Sequence, residues 1–226
     1  MKRRLGLLGV GALAVVAAVV IAPWVLRGVD FFRVRQVELV GLRYLAPEQV
    51  LEALALARDR NLFDDNGEVA RRASTLPGVV AVRIERRLPG VLRVVLVERT
   101  PVAFAPGPAG LVPLDGNAHP LPYDPTVTGF DLPVVERPDT VLTRTLSLVR
   151  TADSSLFRRV DAVSHGAGES VILELGQRRV LLQATSTVEE IRAVEAVRRH
   201  LERTGRPFVT LDARFAGWVV VRRGRV

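Results

Sequence analysis

The sequence contains no cysteine and a single lysine, Lys2, among its 226 residues. Without cysteine, the chain has no disulfide, no cysteine-ligated zinc and no catalytic thiol. A G-x-x-x-x-G-K-[ST] phosphate-binding loop, a kinase site and a Schiff-base enzyme each need a lysine inside a folded domain. Aromatic residues are also scarce, at 5%. The hydrophobic core must therefore consist mainly of valine, leucine and alanine.

Positive charge is abundant and almost entirely arginine. Lysine and arginine total 32 against 24 acidic residues, which gives a net charge of +8. Nucleic acid is the usual partner of so basic a chain. Few aromatics are interleaved with the arginines, however, and a predicted membrane anchor would hold the domains away from DNA. We therefore predict no nucleic-acid partner and expect the arginines to form solvated faces or to contact anionic lipid.

The three histidines, His119, His165 and His200, show no catalytic or metal-binding pattern. They are widely separated and none has the spacing of a metal motif. Ser164 precedes His165 without a G-x-S-x-G element, and the paired carboxylates lie at predicted helix starts, where capping accounts for them. We predict no catalytic residue, no metal, no cofactor, no small-molecule substrate and no enzymatic activity.

The amino terminus has the pattern of a membrane anchor. Residues 1–4 are basic after the initiator methionine, and residues 5–26 carry no charge. As a helix, those 22 residues span roughly 33 Å, enough for a bilayer core of about 30 Å. We predict a transmembrane helix at 5–26, a cytoplasmic tail at 1–4, and the remaining chain outside the cytoplasmic membrane of a bacterium.

A cleaved signal peptide is the alternative interpretation of this segment. Its apolar stretch is longer than the usual run of about 7–15 residues. The best small-residue cleavage site, at 20–22, is followed by Pro23, which is poor at such a junction. Positive charges on the two sides nearly balance, but a long domain crosses the membrane largely regardless of charge. The pattern favours a single-pass type II protein.

Residues 31–103 predict a compact domain with the order strand, helix, helix, strand, strand. Apolar alternation predicts the strands, and the helices show apolar residues at helical spacing. Pro47 suits the first turn of the first helix, and Asp64 or Asp65 can cap the second. The predicted elements are a strand at 32–40, helices beginning near Pro47 and after Asp65, and strands at 80–85 and 91–98.

Four motifs in this region resemble the POTRA domain of the FtsQ/DivIB family of bacterial division proteins. They are F-x-V-x-x-V-x-L-x-G at 32–41, N-L-F at 61–63, L-P-G-V at 76–79 and V-E-R-x-P-V-A at 97–103. Their order and spacing after a basic tail and one apolar span are those of the family. The resemblance implies an α/β (α+β) fold: a POTRA domain at 31–103 and an FtsQ-type β domain at 104–226.

The second domain is predicted to be a mixed β-sheet with flanking helices. Ser186 and Glu189 have capping-box spacing at the start of an amphipathic helix whose arginines, including Arg198, are expected in solvent. The closing segment resembles the family's last two strands, with Asp212, Arg214 and Phe215 carrying the match. The predicted elements are a helix over 139–151 and strands at 111–114, 132–135, 159–163, 170–175, 178–183, 208–211 and 218–221.

The resemblance implies a non-enzymatic scaffold at the division septum that recruits partners of the FtsB/FtsL type. The last strand has no proline and can lie at a sheet edge, which suits binding by β-strand addition. A core role for Trp218 and Val220 is the structural alternative, and a POTRA-bearing secretion or envelope-assembly module is the functional one. The predicted partner-binding residues are Arg214, Phe215, Trp218, Val219, Val220, Val221 and Arg222.

Overall fold

The structure is a computed structural model, and it describes residues 25–26, 28–108 and 110–224. The chain divides into two compact units between Glu98 and Arg99. The sequence prediction divided it between residues 103 and 104, inside what is the first strand of the second unit. Within the described ranges, no helix is long and apolar enough to cross a membrane. The span predicted at 5–26 lies outside them except for Val25 and Leu26.

The first unit has the predicted order of strand, two helices and two strands. Its sheet has the order β1-β3-β2, with β1 parallel and β2 antiparallel to β3. The first strand begins later than predicted, because a 3-10 turn occupies Asp30–Phe32. The elements are β1 Gln36–Val40, α1 Pro47–Leu54, α2 Gly67–Ser74, β2 Val79–Arg87 and β3 Val91–Glu98.

The core of the first unit lies between the sheet and the two helices. Alternate residues of the central strand β3 (Leu92, Val94 and Leu96) are buried, because successive side chains point to opposite faces of a sheet. The helices contribute buried residues at helical spacing. These are Val50 and Leu54 of α1 and Val69 and Ala73 of α2.

Two residues of the sequence motifs have direct structural roles here. Gly41 has a φ of 91°, and a side chain at this position would collide with the backbone carbonyl of Leu96. Glu98 accepts hydrogen bonds of 2.9 Å from the backbone N–H groups of Arg43, Tyr44 and Leu45. The glycine therefore permits close packing on β3, and the glutamate fixes the loop that follows β1.

The second unit is built on one eight-stranded mixed sheet with the order β11-β10-β9-β8-β7-β6-β4-β5. The neighbouring strands β10–β9, β6–β7 and β4–β6 are parallel, and the others are antiparallel. The strands are β4 Ala103–Gly107, β5 Gly110–Leu114, β6 Val134–Val135, β7 Ala162–His165, β8 Ser170–Leu175, β9 Arg178–Gln183, β10 Thr210–Phe215 and β11 Trp218–Arg222.

Helices complete the second unit, and the two long ones pack against each other. Apolar residues of both, including Leu146 and Ile191, join one core cluster with those of the strands. The carboxylate of Asp139 caps the first long helix by accepting from Val141 and Leu142. The helices are α3 Pro125–Thr128, α4 Thr140–Ala152, α5 Ser154–Phe157 and α6 Val188–Arg203.

The strand predicted at 159–163 is wrong in position. Asp153 accepts from the backbone N–H groups of Ser155 and Leu156, at 2.8 and 3.0 Å, and so starts the short helix α5. The strand β7 follows only at 162–165. Strand β4 was not predicted, because its proline and glycine are typical of loops. The strands predicted at 170–175 and 178–183 have the bounds found in the structure.

Candidate partner-binding site

The predicted partner-binding residues lie on one β-hairpin, formed by β10 and β11. Phe215 and Trp218 face each other across a two-residue turn, in which Gly217 has a φ of 77°. The pairing register shifts between Asp212 and Phe215, which places a β-bulge in β10. The bulge carbonyl of Arg214 accepts a hydrogen bond of 2.8 Å from the side chain of Gln183 on β9.

Strand β11 is terminal in the sheet, and among the described residues it pairs only with β10. The carbonyl of Arg222 accepts from the N–H of Val209, at 2.9 Å, on the β10 side. In an antiparallel strand, the N–H and C=O of successive residues point alternately to the two sides. The backbone groups of Val219 and Val221 therefore point away from β10, where an incoming strand would lie.

The side chains of β11 divide between the two faces of the sheet. Val219 and Val221 are half-buried and pack against the core of the second unit. Trp218 is 76% exposed, and Val220 is 42% exposed. Phe215 is exposed as well. The structural alternative of a core role therefore fits Val219 and Val221 better than Trp218 and Val220.

A shallow cavity of about 80 Å³ lies between this hairpin and the first turns of α6. Phe215, Trp218 and Val219 line one side, and Glu190 and Ala193 of α6 line the other. Its mixed lining of aromatic, aliphatic and acidic groups suits a side chain from a docked peptide. A peptide that binds by strand addition gains most of its affinity from main-chain hydrogen bonds, so it needs few deep apolar pockets.

The two arginines of the predicted site hold the hairpin together. Asp212 is fully buried and accepts from Arg214 Nε and Nη2, both at 2.8 Å, and from Arg222 Nη2 at 3.3 Å. The hydrogen bonds from Arg214 hold the pKa of Asp212 below its ordinary value. Arg222 remains 62% exposed in its side chain, so it can also present charge to a partner.

Helix α6 supports the hairpin from behind and differs from the prediction in two respects. The capping box is formed by Thr187 and Glu190, one residue beyond the predicted pair. Arg198 is buried, with two hydrogen bonds of 2.6 Å to the fully buried Glu195. Those bonds raise the pKa of Arg198 above its ordinary value.

The prediction of a solvated Arg198 is therefore wrong, and the sequence carried a signal against it. Ile191, Glu195 and Arg198 recur at the spacing of the buried helical stripe, and an acid three residues before an arginine forms a pair on one face. The ion pair with Glu195 offsets the cost of burying the Arg198 guanidinium, since a buried charge needs a hydrogen-bonded partner.

The histidines were predicted to be structural or solvated. His165 Nε2 lies 3.0 Å from Asp139 Oδ2, and His119 Nδ1 lies 3.3 Å from Asp115 Oδ2. Within residues 25–26, 28–108 and 110–224, no three His, Asp or Glu side chains gather in a way that could hold a metal ion.

Residues 32–99, which form most of the first unit, match the family model of the FtsQ-type POTRA domain. The chain is similar to the cell division protein FtsQ of Mycobacteroides abscessus, with 27% identity over 68% of this chain and 51% of that protein. FtsQ of Mycobacterium tuberculosis is 27% identical over 67% and 50%. FtsQ of Mycolicibacterium smegmatis is 34% identical over 46% and 38%.

The aligned part of this chain thus spans about half the length of the curated relatives that it matches. Among solved structures, the major extracytoplasmic domain of the division protein DivIB from Geobacillus stearothermophilus is similar. It has 14% identity and a TM-score of 0.31 over 47% of this chain and 96% of that one. A TM-score of 0.31 is too low to support an argument about the fold. The family match and the named relatives confirm the resemblance to the FtsQ/DivIB division proteins.

Proposed function

We propose that this protein is a non-enzymatic scaffold of the bacterial division machinery, anchored in the cytoplasmic membrane by residues 5–26. Its two units lie outside the cytoplasm at the septum, where β11 binds a strand of an FtsB-like partner from an FtsB/FtsL pair. The observation that carries this proposal is the open outer edge of β11, next to exposed Trp218. The similarity to proteins named for cell division supports the division role.

Strand addition explains why this edge is suited to a partner. The outward N–H and C=O groups of Val219 and Val221 are spaced to continue the ladder, since alternate residues bond to the same side. Trp218 and Phe215 supply aromatic surface near the same end of the strand, and aromatic anchors dominate many interfaces. Arg222 adds positive charge at the other end of β11, which favours an acidic partner segment.

A proline scan of β11 in the detergent-purified full chain tests this site. Val219→Pro and Val221→Pro each remove an N–H that points away from β10, so we expect about a 100-fold loss of affinity for an FtsB-like peptide. The melting temperature should stay within a few degrees of wild type. Val220→Pro removes an N–H that bonds to β10, so it should lower the melting temperature instead.

Leu111→Pro, on β5 at the other end of the sheet, is the matched control and should leave the affinity unchanged. If both Val219→Pro and Val221→Pro bind like wild type, the partner docks elsewhere. If the chain instead captures unrelated unfolded polypeptides with similar affinity, the secretion or envelope-assembly function is favoured. Isothermal titration with each peptide measures both outcomes.

The topology needs a separate experiment. A reporter that is active only outside the cytoplasm, fused after Val226, should be active in cells. Protease added to spheroplasts should degrade all but roughly the first 30 residues, because the anchor shields them. Protection of the second unit from the protease would contradict the proposed orientation.

A further inference from the structure

A buried asparagine fastens the segment that follows the apolar amino-terminal run to the first unit. Asn61 is 6% exposed, and its Nδ2 donates to the carbonyls of Leu26, at 3.2 Å, and Val29, at 3.1 Å. Its Oδ1 accepts from the N–H of Phe63, at 3.0 Å. Every one of these bonds is made by the first residue of the N-L-F motif. Leu26 is the last residue of the uncharged run.

Backbone pairing strengthens the same attachment. The N–H of Leu62 donates to the carbonyl of Phe32, at 2.9 Å, and the N–H of Val34 donates to that of Arg60, at 2.8 Å. The rings of Phe32 and Phe63 meet edge to face, with centroids 5.1 Å apart. Leu26 and residues 28–34 are therefore bound to the first unit by hydrogen bonds and ring contacts.

The fastened segment nevertheless leaves apolar side chains in solvent. Val25 is 61% exposed, Val29 is 39% exposed and Phe31 is 56% exposed. Val25 belongs to the predicted span, and we call Val29 and Phe31 the collar. Hydrogen bonds from Gly28 to Val25 and from Val29 to Leu26 keep this stretch in tight turns. Exposed valine and phenylalanine next to an apolar span can contact an apolar partner without further desolvation of polar groups.

Distances along the chain place the collar close to the end of the predicted span. Phe31 follows Leu26 by five residues, which cover at most about 10 Å in helical or 3-10 turns. The headgroup region on each side of a bilayer is roughly 5–7 Å thick. If residues 5–26 span the membrane, Phe31 lies at the level of the headgroups or just beyond.

The charges beside the collar suit the same surroundings. Arg33 forms an ion pair of 2.7 Å with Asp30, and both side chains remain largely exposed. Arg35 donates a hydrogen bond of 3.4 Å to the carbonyl of Phe31. Arginine next to an exposed aromatic ring is a usual arrangement at a membrane interface, where the ring is in the headgroup layer and the guanidinium contacts phosphate.

From this arrangement we propose that the collar inserts into the headgroup layer of the bilayer and that Asn61 holds it there. The first unit is then fixed against the membrane surface in one orientation, rather than tethered loosely. This inference rests on the membrane anchor of the proposed function. Asn61, the asparagine of the N-L-F motif, then connects the anchor rigidly to the first unit.

Tryptophan quenching by brominated lipids tests the insertion in full-length protein reconstituted in vesicles. The chain has two tryptophans, so Trp218→Phe leaves Trp24 as a reporter of the span. Phe31→Trp with both natural tryptophans replaced by phenylalanine reports the collar. With bromine near the headgroups, we expect position 31 to be quenched at least about half as strongly as Trp24, with blue-shifted emission.

Val97→Trp in the same background is the matched control. Val97 is 52% exposed, and the register pairs Gln36 with Val91, so position 97 lies about 20 Å further along the sheet. It should not be quenched. Quenching of Trp24 without quenching at position 31 overturns the collar inference alone, whereas unquenched Trp24 overturns the anchor. Equal quenching at 31 and 97 also overturns the inference, because the unit would then lie flat on the membrane.

This rigid connection is tested by Asn61→Ala, with Asn66→Ala as its control. Asn66 accepts a hydrogen bond from Arg60 and belongs to the helix cap of α2. Asn61→Ala should reduce quenching at position 31 at least about twofold, and Asn66→Ala should leave it unchanged. Equal quenching in both variants overturns the role of Asn61. If Asn61→Ala unfolds the first unit, the quenching at position 31 in the chain that keeps Asn61 decides whether the collar inserts.

Discussion

The two edges of the eight-stranded sheet differ in how far other segments cover them. At one edge lies β5 and at the other lies β11. Each edge has a buried aspartate nearby, Asp115 after β5 and Asp212 in β10. The two carboxylates differ in how many arginine side chains donate to them, and within the described residues only the β5 edge is bridged by the segment that follows it.

At the β5 edge, the chain folds back on itself. Asp115 accepts from the backbone N–H groups of Asn117 and His119, at 2.8 and 2.9 Å, within one turn, and from the side chain of Arg99, at 3.2 Å. The turn brings the N–H of Leu121 to the outward carbonyl of Pro113, at 2.8 Å. Pro113 has no N–H of its own to offer to a partner. The turn and the proline thus cover much of this edge.

At the β11 edge, the buried carboxylate is held from within the hairpin. Asp212 takes its donors from the side chains of Arg214 and Arg222. In the part of the chain that the structure describes, β11 pairs with no strand other than β10. An open edge is usually a liability for aggregation, and positive side chains are one way to reduce that liability. The comparison indicates that β11 is the edge suited to a specific partner.

The largest effect should come from removing the carboxylate behind the open edge. Asp212→Ala leaves two arginines without their acceptor, one of them only 26% exposed, so we expect a loss of about 2–4 kcal/mol in unfolding free energy. Urea denaturation followed by circular dichroism measures it. Asp212→Asn keeps an acceptor and should lose less. A loss below about 0.5 kcal/mol for Asp212→Ala would show that the arginines do not depend on this carboxylate.

Acid should remove the stabilising contribution of both aspartates. Hydrogen bonds from Arg214 lower the pKa of Asp212. Burial raises the pKa of Asp115, but hydrogen bonds from His119 and Asn117 outweigh it and the net pKa is lowered. Because both folded pKa values lie below the unfolded value of about 3.9, each carboxylate stabilises the fold fully above about pH 5. That stability is lost as the pH falls through the folded pKa.

Stability profiles between about pH 5 and pH 3 should therefore flatten in both Asp212→Asn and Asp115→Asn. Added salt at about 0.5 M should shrink the contribution of Asp212 more, because two arginine side chains donate to it, whereas Asp115 has one arginine beside two backbone N–H donors. Equal salt sensitivity of the two variants would contradict this distinction between the edges.

A smaller effect is expected for the exposed aromatic of β11. Trp218→Ala should weaken binding of an FtsB-like peptide about tenfold, or about 1.4 kcal/mol. Its unfolding free energy should change by less than about 0.5 kcal/mol, because the ring is mostly in solvent. Leu111→Ala truncates an exposed residue of β5, 46% exposed, and should not alter binding. Equal losses of affinity in the two variants would mean that the edges are not distinguished by the partner.

The smallest effect should follow Pro113→Val, which restores one outward N–H at the covered edge. We expect a change in unfolding free energy under about 1 kcal/mol, since valine is of similar size. Leu121 still covers the adjacent carbonyl, so the variant should remain monodisperse to the same degree as wild type in size-exclusion chromatography. New self-association would show that the proline alone protects this edge.

Some elements could be predicted because their signals are local. In strands β8 and β9, apolar residues alternate on either side of a glycine turn. In the first unit, each strand and helix has apolar residues at the spacing typical of its structure. The F-x-V-x-x-V-x-L-x-G motif ends in Gly41, where packing on β3 leaves no room for a side chain. Other local signals were missed. Helix α5 begins at a cap formed by Asp153, and Arg198 is buried together with Glu195, three residues before it in the same helix.

The sequence by itself determined that the last strand is short, free of proline and flanked by arginines, because these are properties of consecutive residues. It also determined the motifs by which the first unit resembles an FtsQ-type POTRA domain. Only the tertiary structure decided that β11 is terminal, that β5 is covered by residues 119–121, and that Arg214 and Arg222 share the buried Asp212. The reason is physical: strand order and ion-pair partners arise from pairings between segments far apart in the chain, which local patterns do not specify.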